Sequence, residues 1–475
     1  MSSSLPDIKN NFSDWYNEVI YQAQLTDESP VRGTVIIRPY GTAIWENIRN
    51  RLDERIKETG HQNAMFPLFI PESFLKREAA HVEGFAPELA VVTYAGGKKL
   101  EEPLVVRPTS ETIIHYMFAR WLTSWRDLPI KINQWANVVR WEMRPRAFLR
   151  TTEFFWQEGH TAHETKKEAE EEVLMMLKEY VALAKDYLAI PVISGQKSEQ
   201  EKFPGGEKTL TFEALMQDGK ALQMGTSHLL SQSFAHAFDM KFQDRNGQLA
   251  YPYLTSWGVT TRLIGALVMV HGDQKGLCLP PKIAPIQVII IPIFKKEEEK
   301  EAVMNSANAV AAALKKAGIR VQIDTDDQKT PGAKFYHWEI RGVPVRLEIG
   351  PRDVAQKKAV MVDRLGLGKD IVSVVDEIAS TIQKKLAEVH TAMFNRAQEL
   401  QQAMWYKEEK LATFGKKLQQ EGGFYQTGWC GDPACEAKLK EFQASTRCLI
   451  EEKTFKTCFA CDNPSKQDVL VAKSY

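Results

Sequence analysis

The chain has 475 residues, and its 61 Lys and Arg balance 61 Asp and Glu, so the formal net charge is zero. No global electrostatic footprint for nucleic acid is present: any RNA contact has to be local, and nothing calls for DNA. With 44% hydrophobic residues and roughly 100–200 residues per domain, two to four domains with real cores are expected. The longest apolar runs, such as Val288–Ile293, are far too short to cross a bilayer, and Met1–Asn10 has neither the basic start nor the apolar stretch of a signal peptide. A cytoplasmic protein without a membrane partner is the expectation. Six cysteines are present, five of them in the last 46 residues, and in a reducing compartment such a cluster favours metal over disulfide.

In chain order, residues 42–58 predict an amphipathic helix, with Trp45, Ile48, Leu52 and Ile56 at helical spacing. It ends at Gly60, and a strand with Phe66 and Pro67 is expected next. A strand at Leu104–Val106 runs into the turn Arg107-Pro108-Thr109. Residues 131–160 read as strand-like runs around an Arg-rich centre. A charged helix follows over about 165–188, with Val173, Leu177, Tyr180, Val181 and Ala184 on its apolar face. Further strand-like stretches lead to Trp257-Gly258 and an apolar helix at about 260–270. The prolines of Leu279-Pro280-Pro281-Lys282-Ile283-Ala284-Pro285 mark a boundary. Beyond it the pattern alternates: strand 287–293, helix 296–316, strand 319–323, helix 332–341, strands 344–349 and 357–363. That predicts an α/β domain with a partly parallel sheet. A long helix over about 372–406, striped by Ile378, Ile382, Leu386, Val389 and Met393, leads to the cysteine-rich tail.

Three clusters carry chemistry. The stretch 140–150 holds four arginines (140, 144, 146, 150) and one acid, Glu142, with Phe154 just beyond. Guanidinium forks suit a polyphosphate and a nearby Phe offers a face to a base, although a solvated basic hairpin has the same composition. Next, Gly258-Val259-Thr260-Thr261-Arg262 places a cation at the start of an apolar helix. Such a charge needs an anion, either a ligand or a neighbouring carboxylate. In the tail, Cys430 and Cys435 are spaced C-x4-C and Cys458 and Cys461 C-x2-C, with 22 residues between the pairs. Four thiolates so arranged suit a closed tetrahedral zinc site with a structural role. Cys448, between the pairs, reads as a buried apolar residue.

Arg140-Trp141-Glu142 followed by a loop and Phe154, then Gly258 to Arg262 about a hundred residues on, resembles motifs 2 and 3 of class II aminoacyl-tRNA synthetases. The helix at 42–58 leading to Pro67 resembles motif 1, the dimer element of that class. No strand-borne Gly-Xaa-Gly-Xaa-Xaa-Gly is present, and Gly205-Gly206-Glu207-Lys208-Thr209 has the wrong spacing for a P-loop. Within the class, the strings Arg107–Glu111, Trp156–His163, Gln223–His228, Ser256–Gly258 and Val270–Asp273 resemble the prolyl-tRNA synthetases. The match spans nearly the whole chain. Thr152 departs from it, since the family often has Arg there.

The resemblance implies an α+β catalytic domain on an antiparallel sheet (1–283), an α/β anticodon-binding domain (284–370), and a linker helix with a small α+β zinc-binding domain (371–475). It implies activation of L-proline with ATP and transfer to tRNA(Pro) by a homodimer. Thr109 and Glu111 would meet the proline amine; Trp156, Phe203 and His228 would wall its ring, with Glu158 and His160 buried nearby. Arg140 would bridge the proline carboxylate and the α-phosphate. Glu142, Arg150, Thr151, Phe154, Gln223, Thr226, Thr260 and Arg262 would hold ATP, accompanied by Mg²⁺. Arg140 and Arg262 would be catalytic. Glu348, Arg352 and Asp353 would read the anticodon, although a local salt bridge at a turn is an equal reading of Asp353. Cys430, Cys435, Cys458 and Cys461 would hold structural Zn²⁺. The terminal Tyr475 would tuck its carboxylate against the catalytic domain. The short interval between Phe154 and Gly258 leaves no room for an inserted editing domain and favours the zinc-tailed, archaeal and eukaryotic type. Two alternatives stay open: another class IIa synthetase, threonyl or glycyl, and a synthetase-like RNA-binding protein without catalysis.

Overall fold

Alternation of facing side chains along seven strands organises the first half of the protein. The computed structural model describes residues 4–75, 89–142, 144–375 and 377–475. In chain order the strands are β1 (Gln62–Asn63), β2 (Ile130–Val139), β3 (Glu153–His163), β4 (Ile193–Gln196), β5 (Lys208–Leu215), β6 (Ala221–Ser231) and β7 (Tyr253–Thr260). They lie side by side as β1-β2-β3-β7-β6-β5-β4. Only β1 runs parallel to its neighbour; every other pair is antiparallel.

Helices cover one face of this sheet. The helix expected at 42–58 spans Pro39–Glu58, with Pro39 at its first turn and Arg55 and Lys57 in its last, where proline and cations are favoured. Its stripe of Ile44, Trp45, Ile48, Leu52 and Ile56 is buried in the protein's own core. The helix Lys166–Asp186 starts at a capping box formed by Thr165 and Glu168. Trp257 of β7 reaches this core across Gly159 of β3: a Cβ on Gly159 would lie 2.0 Å from the indole. The expected strand at Phe66-Pro67 is absent. Pro67 has no N–H to give a ladder, and side chains hold the segment instead: Gln134 Oε1 accepts the Phe66 N–H at 2.8 Å and Arg107 Nη1 donates to the Phe66 carbonyl at 2.8 Å.

The second module has a mixed five-stranded sheet in the order Val321–Ile323, Val288–Pro292, Val345–Ile349, Lys358–Asp363, Lys369–Ser373. The first three strands are parallel and the last two add antiparallel. A short helix, Pro351–Gln356, and the strand Lys369–Ser373 were not expected from the sequence. The long helix is correspondingly shorter than 372–406: it runs from Ile378 to Ala403, because Val372 is claimed by a ladder with Ala359. Val372, Ile378, Ile382 and Leu386 all contribute to the second module's core.

In the third module the strands Trp405–Lys407, Phe424–Trp429, Gln467–Lys473 and Ala444–Ile450 lie in that order. The helix Leu411–Glu421 packs Leu411, Phe414 and Leu418 against them. This module docks on the first. Tyr475 donates its hydroxyl to Asp218 Oδ2 at 2.6 Å and its N–H to the Ala221 carbonyl at 3.1 Å. Its ring lies 5.2 Å from the Arg146 guanidinium and 4.7 Å from Lys220 Nζ, so ring, hydroxyl and N–H hold this terminal residue where the carboxylate was expected to. No helix among the described residues is long and apolar enough to cross a membrane.

Candidate active site

The open face of the seven-stranded sheet carries a cavity of about 600 Å³. Its floor follows from period two. On β3, Trp156, Glu158 and His160 share one face. On β7 their partners across the ladder are Thr260, Gly258 and Ser256. On β6, Thr226 pairs with Gly258 and His228 with Ser256, and on β5 Thr209 pairs with His228. All of these line the cavity. The intervening residues Trp257, Val259 and Phe212 contribute to the helical core on the other side, and a bulge in the ladder between Gln223 and Gly225 brings Met224 into it as well.

Every residue assigned from the sequence to proline or ATP lines this one cavity: Thr109, Glu111, Arg140, Glu142, Arg150, Thr151, Phe154, Trp156, Glu158, Phe203, Gln223, Thr226, His228, Thr260 and Arg262. Arg107 sets the turn that presents Thr109. Its Nε donates to the Asn137 carbonyl at 2.8 Å and its backbone N–H to the Leu68 carbonyl at 2.9 Å. Thr152 is buried and turned to structural use, giving its N–H to the Gly33 carbonyl at 2.8 Å.

One end of the cavity is basic. Arg140 Nε donates to the Pro108 carbonyl at 2.9 Å, and its guanidinium lies 5.4 Å from the Phe154 ring and 5.5 Å from Trp156. Arg262 donates to the carbonyls of Leu149 and Gln223 at 3.2 Å. Burial, then the nearby Arg150 and Arg140 charges, pull its pKa down to about 10. Arg150 pairs with Glu142 at 3.4 Å. Three guanidinium groups around a pocket with this depressed value are a site for a polyanion.

The other end is acidic and apolar. Thr109 donates its hydroxyl to Glu111. Glu158 is buried, accepting from Ser110 Oγ at 2.5 Å and Gln134 Nε2 at 2.8 Å, with His160 Nε2 at 3.0 Å. Burial opposes protonation of His160, but the Glu158 hydrogen bond and the Glu158 and Glu111 charges outweigh it and raise its pKa. His228 goes the other way. Burial drives its pKa down to about 4, against the pull of Glu111, so its ring is neutral near pH 7. Its Nδ1 shares a hydrogen bond with Thr209 at 3.0 Å and its Nε2 with Thr226 at 2.8 Å. Phe203 packs on it with ring centroids 4.6 Å apart. A small cation with an apolar body suits this end.

The sequence reading missed Thr209 and Ser256, which also line the cavity. The hydroxyl of Ser256 and the indole N–H of Trp156 are buried without a hydrogen-bond partner among the described residues. Counting back by two from Thr260 and Gly258 on β7 was the signal that would have found Ser256.

The anticodon candidates do not converge in the same way. Glu348, on Val345–Ile349, is half-buried and paired with Arg346 at 2.9 Å. Arg346 in turn lies 4.1 Å from the Phe335 ring. Asp353, in the first turn of Pro351–Gln356, reaches back to accept the Gly350 N–H at 2.8 Å. Arg352 is exposed.

In the tail, the Sγ atoms of Cys430, Cys435, Cys458 and Cys461 lie within 4.8 Å of one another. Cys430 is 3.7 Å from Cys435 and 3.7 Å from Cys461, and all six cysteines are free thiols. A disulfide needs about 2.05 Å, whereas thiolates about 2.3 Å from a shared tetrahedral zinc are about 3.8 Å apart. The four cysteines could therefore bind one metal ion. Cys448 stands apart in the core, its thiol pushed by burial up to about 12.

Known proteins agree with this layout. Residues 94–271 match the family model described as the tRNA synthetase class II core domain (G, H, P, S and T), residues 287–385 an anticodon binding domain, and residues 411–475 the C-terminal domain of prolyl-tRNA synthetase. The proline--tRNA ligase of Acetoanaerobium sticklandii is 51% identical over 99% of this chain and 98% of its own. The chain belongs to the prolyl-tRNA synthetase family. The chloroplastic/mitochondrial proline--tRNA ligase of Arabidopsis thaliana is 49% identical over 98% of this chain and 87% of its own. The prolyl-tRNA synthetase of Cryptosporidium parvum complexed with L-proline and AMP superposes with a TM-score of 0.93 at 40% identity, covering 100% of both chains. These relatives set aside the threonyl, glycyl and non-catalytic readings.

Proposed function

We propose that the cavity divides its labour between a proline end and a nucleotide end, in an enzyme whose reaction is that of its family. L-proline is activated with ATP to prolyl-adenylate and proline is then transferred to the 3′ end of tRNA(Pro). The observation that carries the assignment is the convergence of three arginines and an acidic, partly apolar recess on one sheet face. Glu111 and Thr109 accept the charged secondary amine, and Trp156, Phe203 and His228 enclose the ring, with Glu158 and His160 behind. A neutral His228 adds no charge to repel the pyrrolidinium. Arg140 binds the proline carboxylate and the α-phosphate together, so that the two anions meet in line. The carboxylate oxygen forms the new bond to phosphorus as the bond to pyrophosphate breaks. The carboxylate is itself the nucleophile, so no protein base is required. Arg150, Gln223, Thr226, Thr260 and Arg262 hold phosphates and ribose, Glu142 and Thr151 the adenine side, and Phe154 stacks on the base. Mg²⁺ arriving with ATP neutralises phosphate charge; Glu142 is the carboxylate at that end.

The same reading assigns the unit 284–370 to the anticodon, through Glu348, Arg352 and Asp353, and the unit 371–475 to a structural Zn²⁺ held by the four cysteines. The unit 1–283 carries catalysis. Arg346 and Phe335, beside Glu348, extend the anticodon surface with a cation and a ring suited to unpaired bases. A homodimer in the cytoplasm completes the proposal. Met65, Phe69 and Trp121 support the dimer: they are 95%, 44% and 46% exposed, apolar side chains of the kind that partners cover. The interval from Phe154 to Gly258 is spent on β3–β7 and the helix Lys166–Asp186, which supports activation without an inserted editing domain. ATP–pyrophosphate exchange tests the function. It should depend on proline and fail with threonine or glycine; exchange with either of those alone would overturn the assignment.

A further inference from the structure

Between β4 and β5, residues 197–207 form the cavity wall that bears Phe203. Only Lys197, Ser198 and Gly206 of this segment are buried. So little apolar burial leaves its order to a few polar contacts. At its start the Lys197 N–H donates to the Thr209 carbonyl at 2.8 Å within the first module, while the buried side-chain contacts come from, or are shared with, the third. Ser198 Oγ donates to Glu436 Oε1 at 2.6 Å. Glu436 is buried in the short helix Pro433–Ala437, directly after Cys435. Lys197 Nζ donates to Glu213 Oε1 at 2.9 Å, and Arg447 grips the same carboxylate at 2.9 Å. One residue earlier than β4's last, Gly195 lets the two modules meet: a Cβ there would lie 2.6 Å from the Leu449 carbonyl oxygen.

The far end of the segment reaches the proline recess. The Phe203 N–H donates to Thr209 Oγ1 at 2.9 Å, the hydroxyl that also meets His228. A continuous path therefore runs from Glu436 through Ser198 and the segment to Phe203, Thr209 and His228. The arginines of the nucleotide end lie outside it, save that Arg447 and Glu213 contribute to the field at Arg262.

We infer that the third module sets the affinity for proline by fixing the 197–207 wall, with Glu436 as a positioning residue acting through Ser198. This rests on assigning Phe203 and His228 to proline. Glu436→Ala and Ser198→Ala in the full-length enzyme are the test; Arg447 is unsuitable, because removing it strands a buried carboxylate. In ATP–pyrophosphate exchange both variants should raise the KM for proline about tenfold, as for loss of a hydrogen bond to a charged group. The KM for ATP and kcat should stay within about twofold, and Glu436→Gln, which keeps an acceptor, should restore the proline KM. Trypsin cleavage after Lys202 should accelerate in both alanine variants at unchanged melting temperature. Wild-type proline KM with wild-type cleavage would overturn the inference, as would proline and ATP KM values rising together. Should Glu436→Ala not fold, Ser198→Ala alone decides. If the wild type shows no proline-dependent exchange, the functional assignment falls, while the cleavage comparison still decides whether Glu436 holds the wall.

Discussion

The cavity on the seven-stranded sheet and the strand end of the second module both present charged side chains chosen from sequence, yet they use them differently. In the cavity, Arg140, Arg150 and Arg262 crowd one end, and burial with mutual repulsion depresses Arg262. At the strand end, Glu348 is paired with Arg346 and Asp353 caps a helix. A charge held against its own interest points to a ligand; a charge already employed in the fold has a second explanation. The contrast separates residues whose loss should stop chemistry from those whose loss should first cost stability.

The largest effect should come from Arg140→Ala. Removing a cation from the reacting phosphate should lower pyrophosphate exchange by at least about 10²–10³-fold, with an unchanged circular dichroism spectrum. Exchange at the wild-type rate would end its assigned role. Next, Cys458→Ser should break the four-thiolate set. Freshly purified wild-type protein should contain about one zinc per chain and the variant far less, with early melting of the third module; equal zinc in both would remove the site. Third, pH distinguishes the two ends. His163, His228 and His271 are each held near 4, chiefly by burial, below the ordinary value of about 6.5. As pH falls the unfolded chain takes up protons first, so their contribution is full above about 6.5 and drains away towards 4. Melting temperature should fall over that window, while the proline KM shows no ionisation of His228 between about pH 6 and 8. The smallest effect is expected for Asp353→Ala, about 1 kcal/mol of stability from the lost cap. Arg352→Ala, exposed and outside the cap, should leave stability and exchange alone while raising the KM for tRNA a few-fold. Equal behaviour of the two would erase the distinction between them.

What the sequence disclosed follows from where its signals lie. The helix Pro39–Glu58 was legible because Trp45, Ile48, Leu52 and Ile56 repeat at helical spacing and all are buried. The strand Lys369–Ser373 was not: only Val372 is buried, so an exposed edge strand left no alternation to read and was absorbed into the helix that follows. In the cavity, Arg and Glu announce themselves, but Thr209 and Ser256 are ordinary residues brought to its lining by register across β5, β6 and β7. The contact between Ser198 and Glu436 spans 238 positions, and no local pattern reports a pair that only the packing of two modules brings together.

Glu213 has a consequence for the order in which the protein assembles. Its carboxylate is fully buried and shared by Lys197, sixteen positions away, and Arg447, 234 positions away. The seven strands can pair using residues 62–260 alone, so the first module has every local contact it needs before the third is in place. In that intermediate Glu213 has lost one of its two cations, and the edge strand beside Gly195 is uncovered. Long-range closure is slow, and an uncovered edge invites wrong partners. Refolding should therefore regain the sheet before docking of the third module restores full affinity for proline, which stopped-flow refolding followed by proline binding would check.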